Sequence, residues 1–171
     1  VSRMSVENAV PGGVSIGMTS VVGIGIYVGN QSGAYEGAGI GVAVIDSGMQ
    51  LDYPDFGQGR KSRLVYSENF SRDTMSKSGS DEYGHGQHVA GIIAGNGALS
   101  STTGSLYTFR GIAPGANLIN LRVLDREGNG TDSQVIAAIE RAIELKKLYN
   151  IRVINLSLGR PVYESYKLEP L

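Results

Sequence analysis

The chain has no cysteine, which removes disulfide frameworks, thiolate zinc sites and cysteine nucleophiles together. The compartment stays open, because secreted enzymes need not contain cysteine. Charge of one sign is also missing. No basic run exceeds a pair such as Lys146–Lys147, and the net charge is −1. Neither a nucleic-acid backbone nor an anionic membrane surface therefore meets a basic patch here. Long apolar runs are absent too. Val21–Val28, the longest near the start, is interrupted by Gly23 and Gly25 and is too short to span a bilayer. No charged stretch precedes it, so no signal peptide is legible. A start at Val1 and a finish at KLEPL give the expectation of processed or cut ends.

What remains is a globular composition, 41% hydrophobic and 18% charged over 171 residues, enough for one domain with a real core. Residues 1–38 form a glycine-rich segment, with ten glycines between positions 12 and 41. Loops with one short element near 20–28 are expected there. From Gly39 the patterns sharpen. GIGVAVID is a continuous apolar run ending in an acid, the mark of a strand buried on both faces. RLVY at 63–66 predicts a second strand, and 71–83 a polar loop. HVAGIIAG, opening at His85, predicts a helix, and a third strand is expected over about 117–124.

TDSQVIAAIERAIELKKLYN is the clearest helix. Thr131 and Gln134 fit a capping box. Val135, Ile139, Ala142 and Ile143 are expected on its apolar face. RVINLSLG then predicts another buried strand. The alternation of strands and helices implies an α/β fold of three layers, a mostly parallel β-sheet with helices on both faces.

Four kinds of site can be weighed. Gly37-x-Gly39-x-Gly41 precedes a strand, whereas a dinucleotide fingerprint follows one and opens a helix; no Walker lysine exists. Asp125, Glu127, Asn129 and Gly130 begin like a calcium loop, but Ile136 falls where a bidentate carboxylate is needed. A plain turn fits better, and the acidic loop Asp73–Glu82 is unspecific. His85-x-x-His88 has three-residue spacing and no glutamate base, unlike a His-Glu-x-x-His zinc site; Asp46 could be imagined as a third ligand. The fourth is acid–base chemistry. Asp46 ends one strand and His85 begins one helix, and a parallel sheet brings such ends to one edge. The pair can meet across 39 residues of sequence, as an orienting carboxylate with its imidazole or as a structural hydrogen bond. Gly84 and Gly86 are expected to clear space for the ring.

VAVIDSG, GHGQHVAG, GIAPGANLINLRVLDREGNG and VINLSLG, in this order over about residues 37–160, resemble the subtilisin-like serine proteases, or subtilases. In that family the triad runs Asp, His, Ser. The resemblance implies that Asp46 orients His85, that His85 is the general base, and that His88 is structural, hydrogen-bonded locally and away from substrate. It implies two peptide-binding edges, Gly128, Asn129 and Gly130 on one side and Ser157, Leu158 and Gly159 on the other, with an extended substrate pairing by β-augmentation. Leu158 is expected to line a specificity pocket. Glycine there lets two backbones approach.

Two departures stand out. Gln87 replaces the family's Thr beside the imidazole and could disturb it. The serine motif Gly-Thr-Ser-Met-Ala is absent from these residues, and Asn155 lies before the region of the family's oxyanion asparagine. The expectation is therefore the amino-terminal part of a peptidase domain, residues 39–171. Alone it would be inactive, with a second polypeptide carrying the serine segment as its partner. The resemblance requires no cofactor, leaves a structural calcium open, and implies export from the cell. The competing class is a subtilase-derived binding module that has lost catalysis.

Overall fold

The computed structural model describes residues 36–57, 59–72 and 79–159. Four strands, β1 (Gly41–Asp46), β2 (Leu64–Asn69), β3 (Asn117–Arg122) and β4 (Ile151–Leu156), pair in parallel in the order β2-β3-β1-β4. Two helices, α1 (His85–Ala94) and α2 (Asp132–Leu145), lie between them in the chain. The element expected near 20–28 falls outside the described residues, as does part of the loop at 71–83.

All six residues of β1 are buried, and the alternation of side chains explains why. Val42 and Val44 join Leu118 of β3, Val89, Ala90 and Ala94 of α1, and Met49 and Phe56. Ala43 and Ile45 face the other way, into Ile119 and Leu121 of β3 and Val135, Ala138 and Ala142 of α2. Helices thus cover both faces, giving the three-layer α/β arrangement expected from the continuous apolar run. Each large aliphatic side chain fully buried this way contributes about 1.5–3 kcal/mol.

α2 starts as its spacing predicts. Gln134 Oε1 accepts from the Thr131 backbone N–H at 2.7 Å and from its hydroxyl at 3.0 Å, closing a capping box. The apolar face differs in one residue. Ala138 is buried, whereas Ile143 is 62% exposed. At about 100° per residue, Ile143 lies a quarter turn or more from the line through Val135, Ala138 and Ala142.

Two strands also depart from expectation. β2 runs on to Asn69 because Glu68 and Asn69 stay in register with Leu121 and Arg122. β4 is not buried. Among the described residues it pairs only with β1 and forms the sheet edge, with Val153 50%, Ile154 39% and Leu156 46% exposed. An apolar strand reads alike in sequence whether its second neighbour is present or not.

A polar cluster ties β2 to α2. The Tyr66 hydroxyl donates to Glu68 Oε2 at 2.6 Å, and Arg141 Nε meets the same oxygen at 2.9 Å. Burial, then the hydrogen bond to Glu68, pushes the Tyr66 phenol up from 10.0 to about 12. Between those values the folded chain keeps a proton that the unfolded chain has lost, so stability falls as pH rises through the window. Urea unfolding at about pH 9 and about pH 11 is expected to show this decline. Tyr66→Phe should flatten it; an equal decline in that variant would assign the loss to other groups.

Candidate active site

Because the strands are parallel, the carboxyl ends of β1, β3 and β4 share one edge of the sheet, and the amino end of α1 meets them there. Asp46 is the last residue of β1 and is 1% exposed. It continues the Val42, Val44 series and so points toward α1. His85 is the first residue of α1. Its Nδ1 lies 2.8 Å from Asp46 Oδ1, which also accepts the Ser47 N–H at 2.7 Å.

A carboxylate only accepts, so this contact puts the ring proton on Nδ1 and leaves Nε2 with its lone pair free to accept. The imidazole is 37% exposed, although the carboxylate it meets is 1% exposed. Asp46 Oδ2 is buried and lacks a hydrogen-bond partner among the described residues. Such an orphaned acceptor costs about 1–3 kcal/mol.

Close packing brings strand end and helix start together. A Cβ on Gly86 would lie 2.4 Å from Gly48 O and 3.2 Å from Asp46 Cβ. Ser47 Oγ accepts the Gly86 N–H at 2.8 Å. Gly84 acts differently, adopting φ 98° where α1 begins. Each glycine thus has a backbone role of its own. One permits backbone contact and the other a left-handed turn.

Several participants were missed in the sequence. Asp81, 7% exposed, caps α1. Its Oδ1 accepts the N–H groups of Tyr83 at 3.1 Å and Gly84 at 2.8 Å, and its Oδ2 that of Gln87 at 2.8 Å. A carboxylate here satisfies donors that the first turn leaves open and opposes the positive end of the helix dipole. Arg122, fully buried and in register with Asp46, donates to Ser80 O at 2.7 Å and Leu124 O at 3.0 Å. Asn120 donates to Gly79 O at 2.7 Å. Together they hold the loop leading into His85. Asp81, four residues before a helix, was a signal that could have been read.

The remaining expected residues fall at the same edge. Gly128, Asn129 and Gly130 follow β3, while Ser157, Leu158 and Gly159 follow β4. With β1 between those strands, the two segments flank the end that carries Asp46. Asp125 Oδ1 accepts the N–H groups of Glu127 at 3.0 Å and Asn129 at 2.9 Å, so its carboxylate serves a local turn. Internal contacts already account for the glycines. A Cβ on Gly128 would strike the Tyr83 ring at 2.7 Å, and one on Gly130 would lie 2.8 Å from Val123 O. Leu158 packs against the α2-side core, and Asn155 Nδ2 donates to Ser157 Oγ at 2.9 Å.

His88 stands apart from Asp46. It is exposed, lining a cavity of about 590 Å³ with Gly91, Ile92, Phe109 and Arg110. The local side-chain hydrogen bond expected for it is not seen among the described residues, because this side of α1 faces open space. No group of three or more His, Asp or Glu among the described residues is arranged to hold a metal ion.

The sequence is similar to those of known proteins. The model of the subtilase family matches residues 37–169. The chain is 38% identical over 130 residues to the minor extracellular protease Vpr of Bacillus subtilis (strain 168), covering 73% of this chain and 14% of that protein. It is 41% identical over 132 residues to subtilisin E of the same organism, covering 77% and 30%. Subtilisin DY of Bacillus licheniformis is 35% identical over 131 residues, covering 77% and 41%. The chain thus spans well under half the length of these relatives. With the family match running over most of its length, the chain belongs to the subtilase family.

Proposed function

We propose that this chain is the amino-terminal part, residues 39–171, of a serine endopeptidase domain, preceded by the glycine-rich segment 1–38, and that it supplies Asp46 and His85 to an Asp-His-Ser triad. The contact of 2.8 Å between His85 Nδ1 and Asp46 Oδ1 carries the reading. A serine outside these residues attacks the substrate carbonyl while His85 Nε2 takes its proton. Asp46 holds the Nδ1 tautomer and stabilises the imidazolium. His85 then gives the proton to the leaving amine, and water repeats the cycle on the acyl-enzyme. An oxyanion hole, also outside these residues, stabilises the tetrahedral intermediate. The substrate is an extended peptide lying between 128–130 and 157–159. No cofactor enters the chemistry.

The partner is the remaining segment of the same protease, which adds a strand beside β4. The exposed apolar side chains of that edge favour it, since an uncovered edge of this kind invites pairing. We place the enzyme outside the cell, as the name of its extracellular relative suggests. No helix among the described residues is long and apolar enough to cross a membrane.

Treating the purified complete protein with a serine-directed phosphonate, then digesting it and sequencing the modified peptide, tests the reading. The label is expected on a serine outside these 171 residues, with intact-mass analysis finding the segment that carries it. Labelling within this chain, or a soluble monomer of this chain alone, would count against the proposal. Peptide binding without any labelling would favour a binding module.

A further inference from the structure

Gln87 stands where the family motif has Thr, next to the first turn that carries His85, yet its side chain reaches the turn after β1. Gln87 Oε1 accepts the Gln50 backbone N–H at 2.8 Å. The Gln50 side-chain amide donates to the Asp81 carbonyl at 3.1 Å. The Asp81 carboxylate returns to α1 by accepting the Gln87 N–H at 2.8 Å. These three bonds close a ring through three separate segments: the turn that begins at Asp46, the loop entering α1, and the first turn of α1. Threonine could not close it, because its hydroxyl sits directly on Cβ whereas glutamine carries its acceptor two carbons further out.

We propose that Gln87 is a positioning residue, which locks the turn after β1 to the start of α1 and so holds Asp46 and His85 in register. The inference rests on the reading of that pair as catalytic. The pair itself is joined by one hydrogen bond to a ring that is 37% exposed. Beside it, the Ser47–Gly86 bond at 2.8 Å links strand end to helix start. Gln50 lies four residues after Asp46 and Gln87 two after His85, so the ring braces both members within one turn of chain. It also engages the Gln87 N–H, one of the donors that a helix start leaves open. Small displacements of a catalytic base lower turnover steeply.

The test uses the complete enzyme with Gln87→Met, which keeps length but loses the acceptor, Gln50→Ala, which loses the bond to Asp81, and the double variant. Each single change is expected to lower kcat by about 5- to 10-fold, with KM within about twofold. The double variant should be no slower than the worse single, since both open the same ring. In proton NMR, the His85 Nδ1 proton is expected to exchange faster with water in each variant. Unchanged kcat and unchanged exchange, even with lowered thermal stability, would overturn the inference and leave the protease reading intact. A rise in KM alone would overturn it too. If the wild type cleaves no peptide while Gln87→Met still speeds exchange at His85, the brace stands and the protease reading fails.

Discussion

Asp46→Asn in the complete enzyme is expected to lower kcat by about 10⁴, the loss known for this change at the orienting carboxylate of an unrelated serine protease. Asp46 Oδ1 accepts from both His85 Nδ1 and the Ser47 N–H. In the variant one side-chain atom becomes an NH₂ donor. If the amide oxygen keeps the Ser47 bond and shifts from the ring, the NH₂ group can present a proton to Nδ1. The imidazole then carries its own proton on Nε2, where the serine proton must go, and no longer acts as a base at that atom. The imidazolium also loses its counter-charge. Fold should be spared, because Asp46 and Asn have nearly the same shape and the site lies at the end of a strand whose core residues are untouched. Steady-state kinetics with a peptide substrate, alongside thermal unfolding, decide it. Near-normal turnover would remove Asp46 from the mechanism.

Gly86→Ala should also lower activity, by a different route and by less. The added methyl would sit 2.4 Å from Gly48 O and 2.9 Å from Gly48 N. Both are backbone atoms of a turn at φ 121° that is itself packed on Gly79 and Ser80, so the turn has nowhere to retreat. The helix start must move instead, and His85 moves with it. A misplacement of about 1 Å costs about 100-fold in rate, so kcat/KM is expected to fall by at least about that factor. The melting temperature should fall as well, because the Ser47–Gly86 bond at 2.8 Å is lost. Activity within threefold of wild type, roughly 0.6 kcal/mol of barrier, would mean that the approach of strand end and helix start is softer than the packing implies.

These effects bear on what could be read beforehand. The run GVAVID announced a strand covered on both faces, and the structure buries all six of its residues between α1 and α2. Thr131 and Gln134 announced the start of α2, because capping is a local matter of side-chain reach. Asp46 and His85 were legible as an acid at a strand end and a histidine at a helix start. Parallel topology then forces such ends together. Ile143 and β4 were misjudged for a related reason: apolarity marks what a segment could bury, while burial depends on which neighbour arrives.

The order of types along the chain, the α/β layering and the candidate acid–base pair were determined by the sequence itself. They follow from hydrophobic period, capping and the geometry of parallel strands, each expressed within a few consecutive residues. The support of that pair was decided only in three dimensions. Asp81 beneath the first turn of α1, Arg122 and Asn120 gripping the loop before it, and Gln87 reaching Gln50 join residues 6 to 42 positions apart. Hydrogen bonds of that kind depend on distances of about 3 Å between atoms of distant segments. No local pattern encodes those distances, because they exist only once the sheet has set each segment in its place.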